Sequence, residues 1–421
     1  MRNYKAFLWL LIALGIVLRF VDISVPDLST DEAQFIMNAS PAHPPIGKAL
    51  FQVAQIIGGH NIVSVRVLAA IIGTITIGLI FLVVREIKNT ETAMIAAAIA
   101  SIFPSHILFS RLAYLSIILC FGWWFLLLAF IHARKNPSTL RLTALYVAGL
   151  VATLIKTQGV LFPILLIIGR IAEKGKSSVR DPILWVLAIS MIPMGIYALT
   201  QPAVAAAFLS YGGTSYGFSN IIERLFQLGS AWWHWNHVII VVGIISLPFL
   251  IKVPWHISAM LLAGVLTSYL LGPGHSYYTT HLIVFAVPIS IMIKKMGTWK
   301  VPMICGVLGV ITLLTTGPSK FIPFPYSEFS KEGFWNEHSA KINEFFLGED
   351  SITVLGSAGH HIRWYISPRV LVGKQFKPPY PTEYILLLND SKVDDIDGIV
   401  EYSEKNITVM RQTNFSYQDH Y

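Results

Sequence analysis

Apolar residues along this chain neither alternate with polar ones nor keep to one helical stripe; they gather into unbroken blocks, each closed by a short polar stretch. Blocks of roughly 17 to 25 residues can cross about 30 Å of hydrocarbon as helices, and lipid admits only helices or closed barrels. A barrel needs short segments of alternating polarity, a pattern these blocks lack. They predict about eleven transmembrane helices, at roughly 6–24, 62–84, 92–109, 113–132, 141–156, 158–171, 182–200, 234–251, 256–272, 278–293 and 300–316. Only Lys156-Thr157-Gln158-Gly159 separates the short fifth and sixth, which form either two spans or a hairpin that does not fully emerge.

After about Gly317 the pattern changes. Short apolar runs at 352–355, 370–372, 384–388 and 407–410, bounded by Gly, Pro, Asn and Asp, read as strands. A helix over 358–365 would make this a small α/β domain. The expected organisation is an all-α polytopic membrane domain over 1–316, followed by a small external C-terminal α/β domain over 317–421.

Composition agrees: 54% of residues are hydrophobic and only 13% charged, outside the usual range for a soluble domain. Charge adds an orientation. Arg2 and Lys5, Arg85 and Lys88, Arg134 with Lys135 and Arg141, the run from Arg170 to Arg180, Lys252, and Lys294 with Lys295 and Lys300 all fall on one side of the eleven spans. The positive-inside rule makes that side the cytoplasm. The N-terminus is then cytoplasmic, and the loops around residues 28–50 and 211–233 are external or luminal, as is the C-terminal domain. The net charge of +8 is explained by topology and anionic lipid, and calls for no nucleic acid. Arg2 and Lys5 precede the first block as in a signal peptide, yet no small-x-small cleavage site closes it and Arg19 interrupts its outer end, so a retained span is expected. Cys120 and Cys305 sit in different spans and offer neither a disulfide framework nor a cysteine metal site.

Candidate chemistry concentrates in the first outer loop, "LSTDEAQFIMNASPAHPPIGKAL", residues 28–50. One reading is a helix start, with Thr30 as N-cap and Asp31 and Glu32 at the positive end of the dipole. The other is a carboxylate at the membrane surface that takes a proton from an acceptor hydroxyl. Arg66, Arg111 and Lys156 fall near outer span ends, where an ionisable residue beside hydrocarbon is costly enough to suggest function, the alternative being snorkelling to headgroups. Arginine clamps a phosphate through two hydrogen bonds, while lysine supplies a point charge. His43 is either a ring N–H donor to substrate or a structural contact in the proline turn, and Lys48 either joins it or meets lipid headgroups. His281 clusters with His275, Tyr277 and Tyr278 before a late span, and Trp232, Trp233 and Trp235 fit an interfacial aromatic belt.

The order of these features resembles the protein O-mannosyltransferases and their relatives, dolichyl- or polyprenyl-phosphate-sugar-dependent glycosyltransferases of the C-type membrane fold. Those proteins carry an Asp-Glu pair in the first external loop and then His-Pro-Pro-Leu-Gly-Lys; here stand Asp31-Glu32 and His43-Pro44-Pro45-Ile46-Gly47-Lys48. "VRVLAAIIGTITIGLIFLVVREI", from Val65, looks like the family's second span with its leading arginine at Arg66. "SRLAYLSIILCFGWW" resembles the Ser-Arg stretch entering the fourth span, "LIKTQGVLFP" the Lys-x-x-Gly segment after it, and "HSYYTTHLIVFAVP" a late His/Tyr-rich turn. The likeness covers roughly the first 300 residues and is strongest over the first 90. It departs from the family at Ser116, where an Asp is usual, and in lacking the large external insert of eukaryotic members.

The resemblance implies transfer of a monosaccharide, mannose among the candidates, from a polyprenyl-phosphate donor to a hydroxyl of a protein, lipid or glycan acceptor, with inversion. Asp31 would be the base, assisted by Glu32, and His43, Lys48, Arg66, Arg111, Lys156 and His281 would hold substrate. No cofactor is expected, since two adjacent carboxylates without further ligands are poor evidence for a divalent metal. Two other classes stay open. A transporter or flippase of a lipid-linked sugar would call for matching broken helices, which are not evident, and a non-catalytic membrane scaffold would be compatible with Ser116.

Overall fold

The computed structural model describes residues 3–21, 23–24, 32, 36, 43–59, 61–202, 204, 239–271, 276–297, 304–308 and 310, and five strands between 351 and 412. The chain divides into two compact units, Met1–Ile23 with Ser40–Phe321, and Ser24–Ala39 with Ile322–Tyr421.

The first unit is helical. In order come α1 (Asn3–Phe20), α2 (Pro45–Gly58), α3 (Ile62–Ile87), α4 (Thr90–Ser101), α5 (Pro104–Ser110), α6 (Leu115–Lys135), α7 (Thr139–Ile155), α8 (Leu161–Lys174) and α9 (Pro182–Thr200). Then follow α10 (Ile239–Lys252), whose last part from Leu247 is 3-10, α11 (Trp255–Leu271) and α12 (Ala286–Lys295). Local chemistry sets several of the starts. The side chains of Asn61 and Asn89 accept from the Ser64 and Thr92 amides to cap α3 and α4, and Asp181 accepts from the Ile183 amide ahead of Pro182 at the start of α9.

Two expected spans are broken helices, and a third break falls between the expected fifth and sixth spans. The block at 92–109 is α4 and α5, bent by 62° at Ile102-Phe103, because Pro104 cannot donate back into the ladder of α4. A 3-10 turn, Thr157–Val160, separates α7 from α8, and the span at 278–293 opens as a 3-10 segment, Ser276–Phe285, before α12. Among the described residues α3, α6 and α9 are long and apolar enough to cross a membrane alone, the bent α4–α5 pair would make a fourth, and α7, α10 and the Trp255–Thr267 part of α11 are shorter. Of the expected span at 300–316 only residues 304–308 and 310 are described, all of them helical, while the loop at 211–233 with its tryptophans and the helix at 358–365 lie outside the described residues. The core lies where α6 passes through the bundle: Trp123 and Trp124 are fully buried, as is most of the Ala- and Ile-rich α4.

The basic span ends meet at one end of this bundle. Lys88 Nζ donates to the Lys252 carbonyl at 2.5 Å, and Lys294 reaches Asn89 Oδ1 and Glu91, each at 3.0 Å. Lys135 pairs with Glu86, and Arg134 with Glu173. If this end is cytoplasmic, tags inserted after Lys135 and after Lys176 should react only with reagents that reach the cytoplasm, and a tag after Tyr421 only with external ones. Labelling of Tyr421 from the cytoplasm would reverse the orientation.

In the second unit β1 (Ser351–Leu355), β2 (Arg369–Val372), β3 (Tyr384–Leu388), β4 (Gly398–Glu404) and β5 (Ile407–Gln412) form one sheet in the order β2-β1-β3-β5-β4. β1 pairs in parallel with β2 and β3, whereas β5 pairs antiparallel with β3 and β4, with a register shift between Val400 and Tyr402. Parallel neighbours need long crossovers, and the stretch from Leu355 to Arg369 is long enough for one.

Candidate active site

The antiparallel run of helices carries Arg19, Arg66, Arg111 and Lys156 to the end of the bundle opposite the basic face. All four are buried, and each sits where a helix begins or ends. Arg66, in the second turn of α3, donates through Nη1 to the Ile23 carbonyl at 3.1 Å, and Arg111, at the C-cap of α5, donates through Nη2 to the Val21 carbonyl. Two guanidinium groups therefore grip the chain just past the C-terminal end of α1, at Val21 and Ile23, where the helix dipole also favours cations. They fix the chain just before it enters the 24–39 segment that carries Asp31 and Glu32.

Proline places the next pair. Pro44 and Pro45 open α2, a position where the missing N–H costs nothing, and the Tyr197 hydroxyl donates to the His43 carbonyl at 3.1 Å. His43 and Lys48 are both nearly buried, and burial pushes the Lys48 amine below its ordinary value. The glycine between them is an approach residue: a Cβ at Gly47 would stand 2.9 Å from the Ile155 carbonyl oxygen and press into Leu115. α2 thus docks against the end of α7 and the start of α6, so that Lys48 and Lys156, each one residue past this contact, belong to one locality.

Lys156 caps α7 in an extended conformation, and its carbonyl accepts from the Gly159 amide at 2.8 Å. Within electrostatic reach of it is His281, whose ring lies 4.5 Å from that of Trp123. Gly159 completes the turn. A methyl group there would collide with the Ala152 carbonyl, and Trp123 Nε1 donates to the Gly159 carbonyl at 3.4 Å. Gly159→Ala is accordingly expected to cost about 1–3 kcal/mol, the usual scale for overpacking. A thermal unfolding temperature equal to wild type would remove this account of the Lys-x-x-Gly segment.

Sequence reasoning passed over two members of this locality, Arg19 and His106. Arg19 Nη1 donates to the Ser101 carbonyl at 2.8 Å and to the Gly15 carbonyl, and Nη2 lies 2.9 Å from His106 Nδ1. Arginine has no acceptor, so Nδ1 accepts and the proton of the neutral ring sits on Nε2. That donor is buried and unpartnered among the described residues, as are Ser116 Oγ, Thr157 Oγ1 and both amide atoms of Gln158. An unsatisfied buried polar group costs about 1–3 kcal/mol, so several in one place mark a site held for something other than stability. The signal in the sequence was an ionisable residue inside an apolar block, which applies to His106 as much as to Arg66.

Of the two carboxylates, Glu32 is buried and belongs to the second unit, while Asp31 lies outside the described residues, as do His275 and the side chains of Tyr277 and Tyr278. Among the described residues no three His, Cys, Asp or Glu side chains gather as a metal site.

Residues 42–198 match the family model described as dolichyl-phosphate-mannose-protein mannosyltransferase. Over that stretch, well under half of the 421 residues, the chain is similar to a family of glycosyltransferases. The matched stretch contains His43, Lys48, Arg66, Arg111 and Lys156; it begins after Asp31 and Glu32 and ends before His281. No curated protein matches the chain. Solved structures share its fold. ArnT from Cupriavidus metallidurans bound to undecaprenyl phosphate aligns with a TM-score of 0.68 at 11% identity, covering 96% of this chain and 98% of that one. The oligosaccharyltransferase AglB from Archaeoglobus fulgidus, in complex with an inhibitory peptide and a dolichol-phosphate, aligns with a TM-score of 0.57 at 12% identity, covering 92% and 70%. The arabinofuranosyltransferase AftD from Mycobacteria aligns at 0.50 and 12% identity, covering 98% and 41%. At such identities the likeness concerns the C-type glycosyltransferase fold, and the sugars in these names already differ.

Proposed function

We propose that this chain is a glycosyltransferase that transfers a single sugar from a polyprenyl-phosphate donor to an acceptor hydroxyl at the outer membrane surface, with inversion at the anomeric carbon. The observation that carries the proposal is the concentration of buried cations and unpartnered polar groups at one end of the bundle, around Arg19, His106, Lys156 and Gln158. A phosphate leaving group needs such a place. Its tail requires lipid, its charge grows as the glycosidic bond breaks, and fixed cations in a water-poor site stabilise that charge without reorganising.

The reaction then proceeds in one displacement. The acceptor oxygen attacks the anomeric carbon, the bond from that carbon to the phosphate oxygen breaks, and the bonding pair leaves with the polyprenyl phosphate. Asp31 receives the acceptor proton, and Glu32 positions the acceptor or the base. Lys156 and Lys48 face the departing phosphate, His43 and His281 hold substrate, and Arg66 and Arg111 contribute from the end of α1 they anchor. Mannose is the sugar named by the matching family model, and a protein hydroxyl the acceptor its description implies.

The test is mass spectrometry of outer-surface glycans and glycoproteins with and without this protein. A single missing hexose would identify acceptor and donor together. Unchanged glycans, combined with no transfer from radiolabelled polyprenyl-phosphate sugars in membranes, would sink the proposal.

A further inference from the structure

A second polar centre lies at the other end of the same helices. α6 and α8 run away from Arg111 and Lys156, and 21 residues of α6 at 1.5 Å each separate the two ends by about 30 Å. Between the far ends of α6 and α8 and the start of α11 is a cavity of about 520 Å³. Its lining holds four basic side chains, Arg134, Lys135, Arg170 and Lys174, against two acidic ones, Glu86 and Glu173.

Ion pairs organise these charges and, with Asp181 behind Arg170 counted, leave four basic side chains against three acidic ones, an excess of one positive charge. Glu173 is shared between Arg134 and Arg170, the latter at 2.9 Å, while Glu86 pairs with Lys135. Asp181 holds Arg170 from behind, at its Nε. The guanidinium groups are thereby fixed in place, which lowers the entropy lost when they clamp an anion.

His256 supplies the deciding observation. It lines the cavity and is 2% exposed, and its Nδ1 lies 3.3 Å from Arg134 Nη1. Because arginine can only donate, Nδ1 accepts and Nε2 carries the proton. That N–H has no acceptor among the described residues. His256 is also in the first turn of α11, a 17-residue helix whose leading amides and dipole favour an anion at that end.

We infer that this cavity binds a phosphate-bearing anion, held by the Arg134 and Arg170 guanidinium groups, His256 Nε2–H and the N-terminus of α11, on the membrane face opposite the sugar-transfer site. The volume lies within the range of small-molecule sites and leaves room for a phosphate that carries an organic substituent. Its source is either the headgroup of an anionic phospholipid in the adjoining leaflet, for which basic pockets between spans are suited, or a soluble phosphate ester. Site and chemistry here are independent of the proposed transfer reaction.

The full-length protein in phosphatidylcholine nanodiscs is compared with the same protein in nanodiscs containing phosphatidylglycerol, and with phosphatidylcholine nanodiscs given inorganic phosphate against chloride at matched ionic strength. Thermal unfolding of the wild type should rise by several degrees with at least one of these additions. A rise with phosphatidylglycerol alone identifies a lipid headgroup, and one with inorganic phosphate identifies a soluble phosphate-bearing anion. His256→Phe keeps the ring and removes the donor, and Lys174→Glu reverses a charge at an exposed position; each should lose most of the rise. Lys295→Glu, on the same face but outside the cavity, should keep it. No rise in the wild type, or an equal loss in Lys295→Glu, would show general surface charge rather than a site and overturn the inference. If His256→Phe fails to fold, Lys174→Glu against Lys295→Glu decides alone.

Discussion

Asp31→Asn is expected to reduce sugar transfer by roughly 100-fold or more, the usual scale for losing a general base, while donor binding largely remains. Asparagine keeps the size of the side chain and much of its hydrogen bonding, but near neutral pH it cannot accept the acceptor's proton. Glu32→Gln should be harmful and less so, since its assigned role is positioning. A helix-capping role for the pair predicts the opposite pattern. Asparagine caps well, and a first-turn carboxylate contributes about 0.3–1 kcal/mol, so Asp31→Asn would leave activity intact and shift stability slightly. The measurement is transfer from a radiolabelled polyprenyl-phosphate sugar in membranes at matched protein levels. Wild-type rates in Asp31→Asn would remove the base and move the balance toward a flippase or a non-catalytic scaffold.

Lys156→Met should be nearly as damaging. Methionine preserves most of the apolar stem in a buried position and deletes the charge, so packing around Trp123 and Ile155 survives while the leaving phosphate loses its nearest proposed cation. Deleting one electrostatic group from a site of this kind typically costs about 10²–10³ in turnover. The loss should fall on kcat more than on KM, because the charge on the phosphate grows only as the bond breaks. Lys156→Arg should recover part of the rate. Were Lys156 only a snorkelling side chain, Lys156→Met would turn over at the wild-type rate, and the phosphate contact would have to be reassigned within the buried group of Arg19 and His106.

The class of the protein is legible in the chain alone. Apolar blocks without periodicity left no soluble alternative, the alternation of basic flanks gave one face to one set of span ends, and the spacing of His43, Gly47, Lys48, Arg66, Arg111 and Lys156 carried the family resemblance. Those signals are local in the chain, because hydrocarbon judges each segment on its own length and polarity. Helix breaks were half legible: Pro104 announces the bend between α4 and α5, whereas nothing in "HLIVF" marks a 3-10 segment, which packing imposes. β4 escaped the reading because Glu401, Ser403 and Glu404 hide its pairing with β5.

What the charged residues touch emerges only in the folded chain. Arg66 and Arg111 are in sequence two cations near outer span ends; that both donate to carbonyls just past α1, at Ile23 and Val21, is visible only once a third segment is folded beside them. Arg19 and His106 are 87 positions apart and become a pair when α1 crosses the end of α4. The motif glycines show the same division. Their identity stands in the sequence, but the reason for it, a backbone approaching too closely for a Cβ at Gly47 and Gly159, exists only between helices.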